Sequence, residues 1–400
     1  MKILHTSDWH VGRRFQGNIV LDHLEQVLSA LAQAVADNGV EVVVIAGDVF
    51  DTASPSSEAY AALGNALNQI AEAGAEVVMT SGNHDSATRL GYLSGFTQRA
   101  GLHIITDPVR IAEPLVINDD YGPVNFFGIP FLEPALIKHL APENDIDSQH
   151  SALSWAMENI KSAIPAGERS VVISHTFANN MGSKAEVPDG EVGETSDLKA
   201  EATSPPRDIT AGGVDVVDAK LFDGITYTAL GHLHSRKELS PSVRYSGAPL
   251  FYSFGERSPV RGAWLVEFDA DGIRETTWVD LPIPRQVSQL TGELQHLLTH
   301  SDFSEYEPHW VKAVLTDNTR PIEAMRKLQV RFPYCAELVH EPANKTISDA
   351  TSYSARIKAL SDQEIAEKFL SDVRNGEGAS EAEQKLLKAA IEQYQQEVRD

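Results

Sequence analysis

One cysteine, Cys335, is all that 400 residues contain, so no disulfide can form within the chain. Such sparing use of thiols fits a reducing compartment, and the expected location is the cytoplasm. No apolar run approaches the ~18 residues of a membrane span. The N-terminus enters a strand-like run directly, without the basic, apolar and small-residue succession of a secretory signal, so secretion is not expected. Basic residues are also scarce: 33 Lys and Arg stand against 57 Asp and Glu, a formal net charge of -24. Proteins that hold nucleic acid by releasing counterions carry a basic face. Were this chain to act on nucleic acid, most of the affinity would have to come from a partner.

What is present is an ordinary globular composition, 42% hydrophobic and 22% charged, at a length that calls for one large domain and one or two smaller ones. Five apolar runs each end in a polar cluster. Lys2 to Ser7 leads into Asp8-Trp9-His10, Glu41 to Ala46 into Gly47-Asp48, and Glu76 to Ser81 into Gly82-Asn83-His84-Asp85. Ser170 to Ser174 delivers His175, and Ile225 to Leu230 delivers Gly231-His232-Leu233-His234. Read as buried strands, the five present Asp, His and Asn at one edge of one sheet, where an open α/β sheet places its chemistry.

Between the first three runs the period changes to that of a helix. Leu21, Leu24, Val27, Leu28, Leu31 and Val35 share a face, with Gly39 placed to end the helix. From Pro55 to Gly74 the pattern repeats through Tyr60, Leu63, Leu67 and Ile70, with Ser54 available as a cap. Strand and helix in alternation imply an α/β protein with a parallel sheet and right-handed crossovers. Short β-like runs between Leu102 and Phe131 indicate a second sheet layer, and Gln149 to Ile164 another amphipathic helix. The acidic stretch from Ser183 to Asp208 has the composition of a long loop, either a rim near the site or a surface insertion.

Pro282-Ile283-Pro284 marks a boundary. Beyond it Trp310 to Leu315 and Ala336 to His340 read as strands and Pro321 to Phe332 as a helix, a small α/β module. Ser361 to Arg374 and Ser380 to Val398 read as two helices with too little core of their own to stand alone. The expected organisation is therefore 1–284, 285–345 and 346–400.

Asp8 and His10, two apart in extended chain, point to one side and can share an ion, and His232 and His234 have the same spacing. Asp48 follows a glycine that lets the backbone turn closely, and its carboxylate can bridge two cations. Asn83 and His175 add an amide oxygen and an imidazole nitrogen. Oxygen and nitrogen donors without thiolate suit manganese, iron, zinc or magnesium. His5, inside the first strand, reads as a satisfied core residue.

Together and in order, Asp8-x-His10, Gly47-Asp48, Gly82-Asn83-His84-Asp85, His175 and Gly231-His232-x-His234 resemble the motif set of the calcineurin-like metallophosphoesterases. The longer strings Ile3 to Gly12, Ala46 to Thr52, Arg244 to Pro249 and Ser253 to Glu256 are similar to the SbcD family of bacterial nuclease subunits within that superfamily. The resemblance is strong over about the first two thirds of the chain. It implies an α/β, sandwich-like core of two packed mixed β-sheets flanked by helices, a small capping domain and a C-terminal helical pair. It also implies two divalent ions, manganese preferred, with Asp8, His10 and His234 on one, Asn83, His175 and His232 on the other, and Asp48 between them. His84 would donate to the phosphate or the leaving oxygen, and Asp85 would fix its ring. Arg13 and Arg14 become candidate DNA contacts. Asp51 stands where archaeal and eukaryotic relatives commonly carry a DNA-orienting His, so its role stays open between substrate and ligand support.

The implied activity is 3′ to 5′ degradation of double-stranded DNA ends and opening of hairpins. The implied partner is an SbcC-type, SMC-like ATPase bound through the C-terminal helices, in a heterotetramer holding a homodimer of nuclease subunits, with no membrane involved. Two alternatives are a phosphodiesterase for small diesters, which needs no C-terminal third, and a silent scaffold, which would not keep every ligand.

Overall fold

Val42–Ala46 is buried at all five residues and Arg169–His175 at all seven, the pattern of strands covered on both faces. These two strands sit near the middle of different sheets. The structure, a computed structural model, describes residues 1–180, 216–256, 258–342, 360–373 and 378–397. Contacts divide the chain into two units, Met1–Pro284 and Arg285–Asp400.

In the first unit, one six-stranded sheet runs in the spatial order Gly272–Asp280, Gly262–Asp269, Lys2–Thr6, Val42–Ala46, Glu76–Thr80, Leu102–Ile105. Its last four strands are parallel and its first two antiparallel. The other runs Lys237–Ser240, Val243–Tyr245, Tyr227–Gly231, Arg169–His175, Gly122–Ile129, Leu115–Asp119, parallel in the middle and antiparallel at both edges. Ile3, Val42, Val44 and Val78 of the first sheet share one core with Val124, Phe126, Val171, Ile173 and Ala229 of the second, so the sheets pack face to face. Each such valine, isoleucine or phenylalanine contributes about 1.5–3 kcal/mol on burial. On the far face of the second sheet, Val172 and Leu230 pack with Ala152, Leu153, Ala156 and Ile160 of helix Gln149–Ala163. The expected mixed, two-sheet α/β core is present, but the single sheet edge expected to hold all five motifs is not: the strands that carry His175 and His232 belong to the second sheet.

Helix Leu21–Asn38 ends at Gly39, which takes φ 62° and donates to the Ala36 carbonyl. Helix Ser57–Glu72 is capped by Ser56 rather than Ser54, the Ser56 hydroxyl accepting the Ala59 N–H. Ser54 Oγ instead accepts from the Arg89 guanidinium.

In the second unit three parallel strands, Val287–Gly292, Trp310–Leu315 and Cys335–His340, lie in that order. Helices Leu294–Thr299 and Ala324–Arg331 cover Leu290, Val311, Ala313 and Leu315 with Leu297 and Leu328. Cys335 is buried as a free thiol. Helices Asp362–Val373 and Glu381–Glu397 pair with each other and leave Phe369, Leu386 and Tyr394 exposed. The 183–208 stretch lies outside the described residues.

Candidate metal centre

Every motif sits at the C-terminal end of a strand. Asp8 and His10 follow Lys2–Thr6, Asp48 follows Val42–Ala46, and Asn83 to Asp85 follow Glu76–Thr80, all in the first sheet. His175 ends its strand in the second sheet, and His232 and His234 follow Tyr227–Gly231 beside it. The two sheets meet here at very short range. A Cβ on Gly231 would lie 1.9 Å from the Ala46 carbonyl oxygen, and one on Gly47 would lie 2.5 Å from His175 Nδ1. The turns that follow are strained, with Asp8, His10, Asp48 and His232 at φ 54°, 43°, 46° and 103°, in the half of conformational space that non-glycine residues avoid.

Asp8, His10 and His234 offer ligand atoms within 4.8 Å of one another, as do Asp8, Asp48 and His175. His10 Nε2 and His234 Nε2 face each other at 3.1 Å. His175 Nε2 lies 3.0 Å from Asn83 Oδ1, which is itself 3.2 Å from His232 Nδ1. Asp48 Oδ2 is 3.6 Å from His10 Nε2 and 3.3 Å from His175 Nε2, between the two groups. Its other oxygen accepts the His84 N–H at 2.9 Å. Asp8 accepts the His232 N–H at 3.1 Å and a hydrogen bond from the Ser7 hydroxyl.

Asp8, His10, Asp48 and His175 are buried, and burial decides the titration of Asp8, His10 and the neighbouring His232. It raises Asp8 above the usual carboxylate range and lowers His10 and His232 to about 3. Against the same desolvation, the His175 imidazole holds Asp48 well below that range, and Asp48 lifts His175 to about 9. The reason is geometric. The Nδ1 of His175 donates to the Ala46 carbonyl at 2.9 Å, which turns Nε2 toward two oxygens, and a nitrogen lone pair among acceptors is satisfied only by a proton or a cation. The facing Nε2 atoms of His10 and His234 pose the same demand. Nitrogen and oxygen donors converge on both sides of Asp48 with no thiolate among them, so the residues present fit divalent cations of the manganese, iron, zinc and magnesium type.

The surrounding residues depart from expectation in two respects. Asp85 does not fix the ring of His84. Its carboxylate accepts the N–H groups of Val49, Phe50 and Gly82 at 3.0, 2.9 and 2.9 Å, and burial beside Asp48 raises its pKa to about 6. The ring of His84 is held by the Asp51 carbonyl, 2.9 Å from Nδ1. The Asp51 carboxylate stands 3.5 Å from His10 Nδ1 and 3.3 Å from Arg13, behind a candidate ligand. Arg13 also lies over the Tyr252 ring, and Arg14 is exposed and donates to the Gly17 carbonyl at 3.0 Å. His84 comes within ligand distance of His10 and Asp48 as well. His5 is a core residue, bonded to the Tyr227 hydroxyl and the Leu230 carbonyl.

The sequence reading missed the support of His234. Glu256 Oε1 lies 3.0 Å from its Nδ1, and Arg261 pairs with the same carboxylate. Glu256 was visible only as part of a string; nothing in a separation of 22 positions marks it as a partner of His234.

The family model of the calcineurin-like phosphoesterases matches residues 1–235, more than half of the chain. A second model, the SbcD C-terminal domain described as the type 5 capsule protein repressor C-terminal domain, matches residues 283–374, and the succession of the two is that of an SbcD-type chain. Among solved structures, a dimetal phosphatase from Danio rerio is 12% identical, with a TM-score of 0.38 over 70% of this chain and 99% of that one. GAP50, the anchor in the inner membrane complex of Plasmodium, is 12% identical, with a TM-score of 0.36 over 86% of this chain and 98% of that one. With strand-end carboxylates and imidazoles gathered around Asp48 and a match over its first 235 residues, the chain belongs to the calcineurin-like phosphoesterase family.

Proposed function

We propose that the chain is the nuclease subunit of an SbcCD-type complex, hydrolysing phosphodiesters at double-stranded DNA ends and opening hairpins. The observation that carries the reading is Asp48 Oδ2, shared between His10 Nε2 at 3.6 Å and His175 Nε2 at 3.3 Å, within a family of metal-dependent phosphoesterases. Asp8, His10 and His234 would hold one divalent cation, Asn83, His175 and His232 the other, and Asp48 both, with manganese preferred. When bound, such a pair offsets the charge on the scissile phosphate and supplies a nucleophile near neutral pH. With Nδ1–H donated to the Asp51 carbonyl, Nε2 of His84 is the ring atom left to pass a proton to the leaving oxygen. Asp85 positions rather than reacts: by tying Gly82 to Val49 and Phe50 it fixes the turn that carries Asn83 and His84 against the turn that carries Asp48.

Residues 285–345 would form a capping domain and 346–400 a linker and helical pair that docks on an SMC-like ATPase. The exposed Phe369, Leu386 and Tyr394 and the C-terminal family match support that role. A homodimer of nuclease subunits in a heterotetramer, and a cytoplasmic setting, follow the same reading; among the described residues no helix is long and apolar enough to cross a membrane. The net charge of -24 assigns most of the DNA affinity to the ATPase.

The deciding experiment is cleavage of an end-labelled hairpin duplex with manganese, without and with the ATPase and ATP. Cleavage that rises with the partner supports the proposal. Rapid hydrolysis of a small phosphodiester with no DNA cleavage in either condition would replace it with a small-diester phosphodiesterase.

A further inference from the structure

His175 is oriented by a main-chain carbonyl, but His234 is held by side chains that form a closed circuit. Its Nδ1 meets Glu256 Oε1 at 3.0 Å; the other oxygen of Glu256 pairs with Arg261 Nη2; and Arg261 Nη1 donates at 2.6 Å to the carbonyl oxygen of His234 itself. The ring and the backbone of one residue are thus tied to the two ends of one ion pair. The Tyr252 N–H adds a second bond to Glu256 Oε1 at 3.1 Å, and the guanidinium lies over the Phe251 ring, 4.1 Å from its centroid. Glu256 and Arg261 are 7% and 2% exposed, so the pair is desolvated and screened from salt.

A buried ion pair is a poor device for stability, since well-packed apolar residues of similar volume often serve as well or better. It does fix geometry. A carboxylate accepts only, so Nδ1 of His234 must carry a proton, and the neutral ring then presents its Nε2 lone pair toward His10 Nε2, 3.1 Å away. A carboxylate behind an imidazole also makes that imidazole a stronger donor to a cation.

Resting on the binuclear reading above, we propose that Glu256, clamped by Arg261, is a positioning residue for His234 and sets the affinity of the cation position shared with Asp8 and His10. Among the described residues no hydrogen bond joins Glu256 or Arg261 to Asn83, His175 or His232, so the second position lacks this support.

The test is a titration of the full metal-free chain with Mn2+, following free Mn2+ by electron paramagnetic resonance, for wild type, Glu256→Gln and the double variant Glu256→Gln/Arg261→Met. The double variant leaves no unpaired guanidinium, and circular dichroism and thermal unfolding of the metal-free proteins show whether each is folded. Wild type is expected to bind two ions, and each folded variant to weaken one by about 10- to 100-fold while the other stays within about threefold. A folded variant with both affinities unchanged, or both weakened alike, overturns the positioning role and leaves the binuclear reading standing. Fewer than two ions on wild type overturns that reading, and the proposal with it.

Discussion

Replacing Gly231 by alanine tests whether contact between the two sheets builds the site. The new Cβ would lie 1.9 Å from the Ala46 carbonyl oxygen, whereas Cβ contacts under 3.0 Å are essentially never found, so the strands must part by about 1.1 Å. The Cβ is fixed by its own backbone and the Ala46 oxygen is main chain, so no rotamer change relieves the clash. Overpacking of this kind costs about 1–3 kcal/mol or more. The displaced atom is also the acceptor that orients His175, whose Nδ1 donates to that carbonyl at 2.9 Å, and a shift near 1 Å at a reacting centre lowers rates by about 100-fold. Gly64→Ala is the control: it lies in helix Ser57–Glu72 with nothing within 4 Å of a Cβ, and should stabilise the fold by about 0.5–1 kcal/mol. Urea unfolding followed by circular dichroism gives the stabilities, and Mn2+-dependent hydrolysis of a chromogenic phosphodiester gives the rate. A Gly231→Ala protein as stable and as active as wild type would show that the sheets can separate without consequence for His175, and the account of the site would fall.

Two further substitutions and one truncation probe other parts of the chain. His84→Ala should lower hydrolysis by about 100- to 10,000-fold while Mn2+ stoichiometry, counted by elemental analysis, is unchanged; loss of an ion would make His84 a ligand. Asp119 is paired with Arg169 at 2.6 Å, and although burial opposes ionisation, Arg169 and the Met1 amino group hold its pKa below the usual value. A depressed carboxylate contributes stability above its unfolded pKa of about 3.9 and loses it as pH falls below that value. Asp119→Asn should therefore be less stable than wild type at pH 7 by about 3–5 kcal/mol, with the gap narrowing below pH 4 in urea melts; a gap that does not change with pH would contradict the pairing. Truncation before Ser361 should spare hydrolysis and abolish binding of the ATPase in a pull-down, and retained binding would move the docking surface elsewhere.

The strand ends were legible because Val42 to Ala46 and Val171 to Ile173 are apolar without interruption, and such runs have one reading when polar clusters follow them. The same property hid the sheet to which each belongs. A strand buried on both faces carries no alternation, so nothing local distinguished the strand before His175 from the strand before Asp48. Val287–Gly292 escaped notice for the opposite reason, since Leu290 is its one fully buried residue. Asp85 was misjudged because nearness in sequence suggested the ring of His84, whereas the convergence of three N–H groups, two of them from the Asp48 turn, decides where its carboxylate goes. Ser56 displaced Ser54 as a helix cap by the same logic of competing partners, Ser54 being engaged by Arg89.

The backbone at the site points to a last prediction. Asp8, His10, Asp48 and His232 all hold positive φ, at a cost of about 1–3 kcal/mol each, and such conformations persist only where the surrounding structure over-determines them. Here the two sheets do so, meeting at the Gly231–Ala46 contact one residue before His232 and two before Asp48. His232 has the largest positive φ of the four, 103°, a value that glycine accepts and alanine does not. In an ordinary strand or helix alanine is the more stable of the two by about 0.5–1 kcal/mol. At position 232 the order should reverse, with His232→Gly more stable than His232→Ala by about 1 kcal/mol in the metal-free protein, because both lack the imidazole and only the backbone differs. Urea midpoints for the two variants measure this directly. An alanine variant equal to or more stable than the glycine variant would mean that the turn relaxes once the ring is gone, and that the imidazole, rather than the meeting of the sheets, holds the backbone in place.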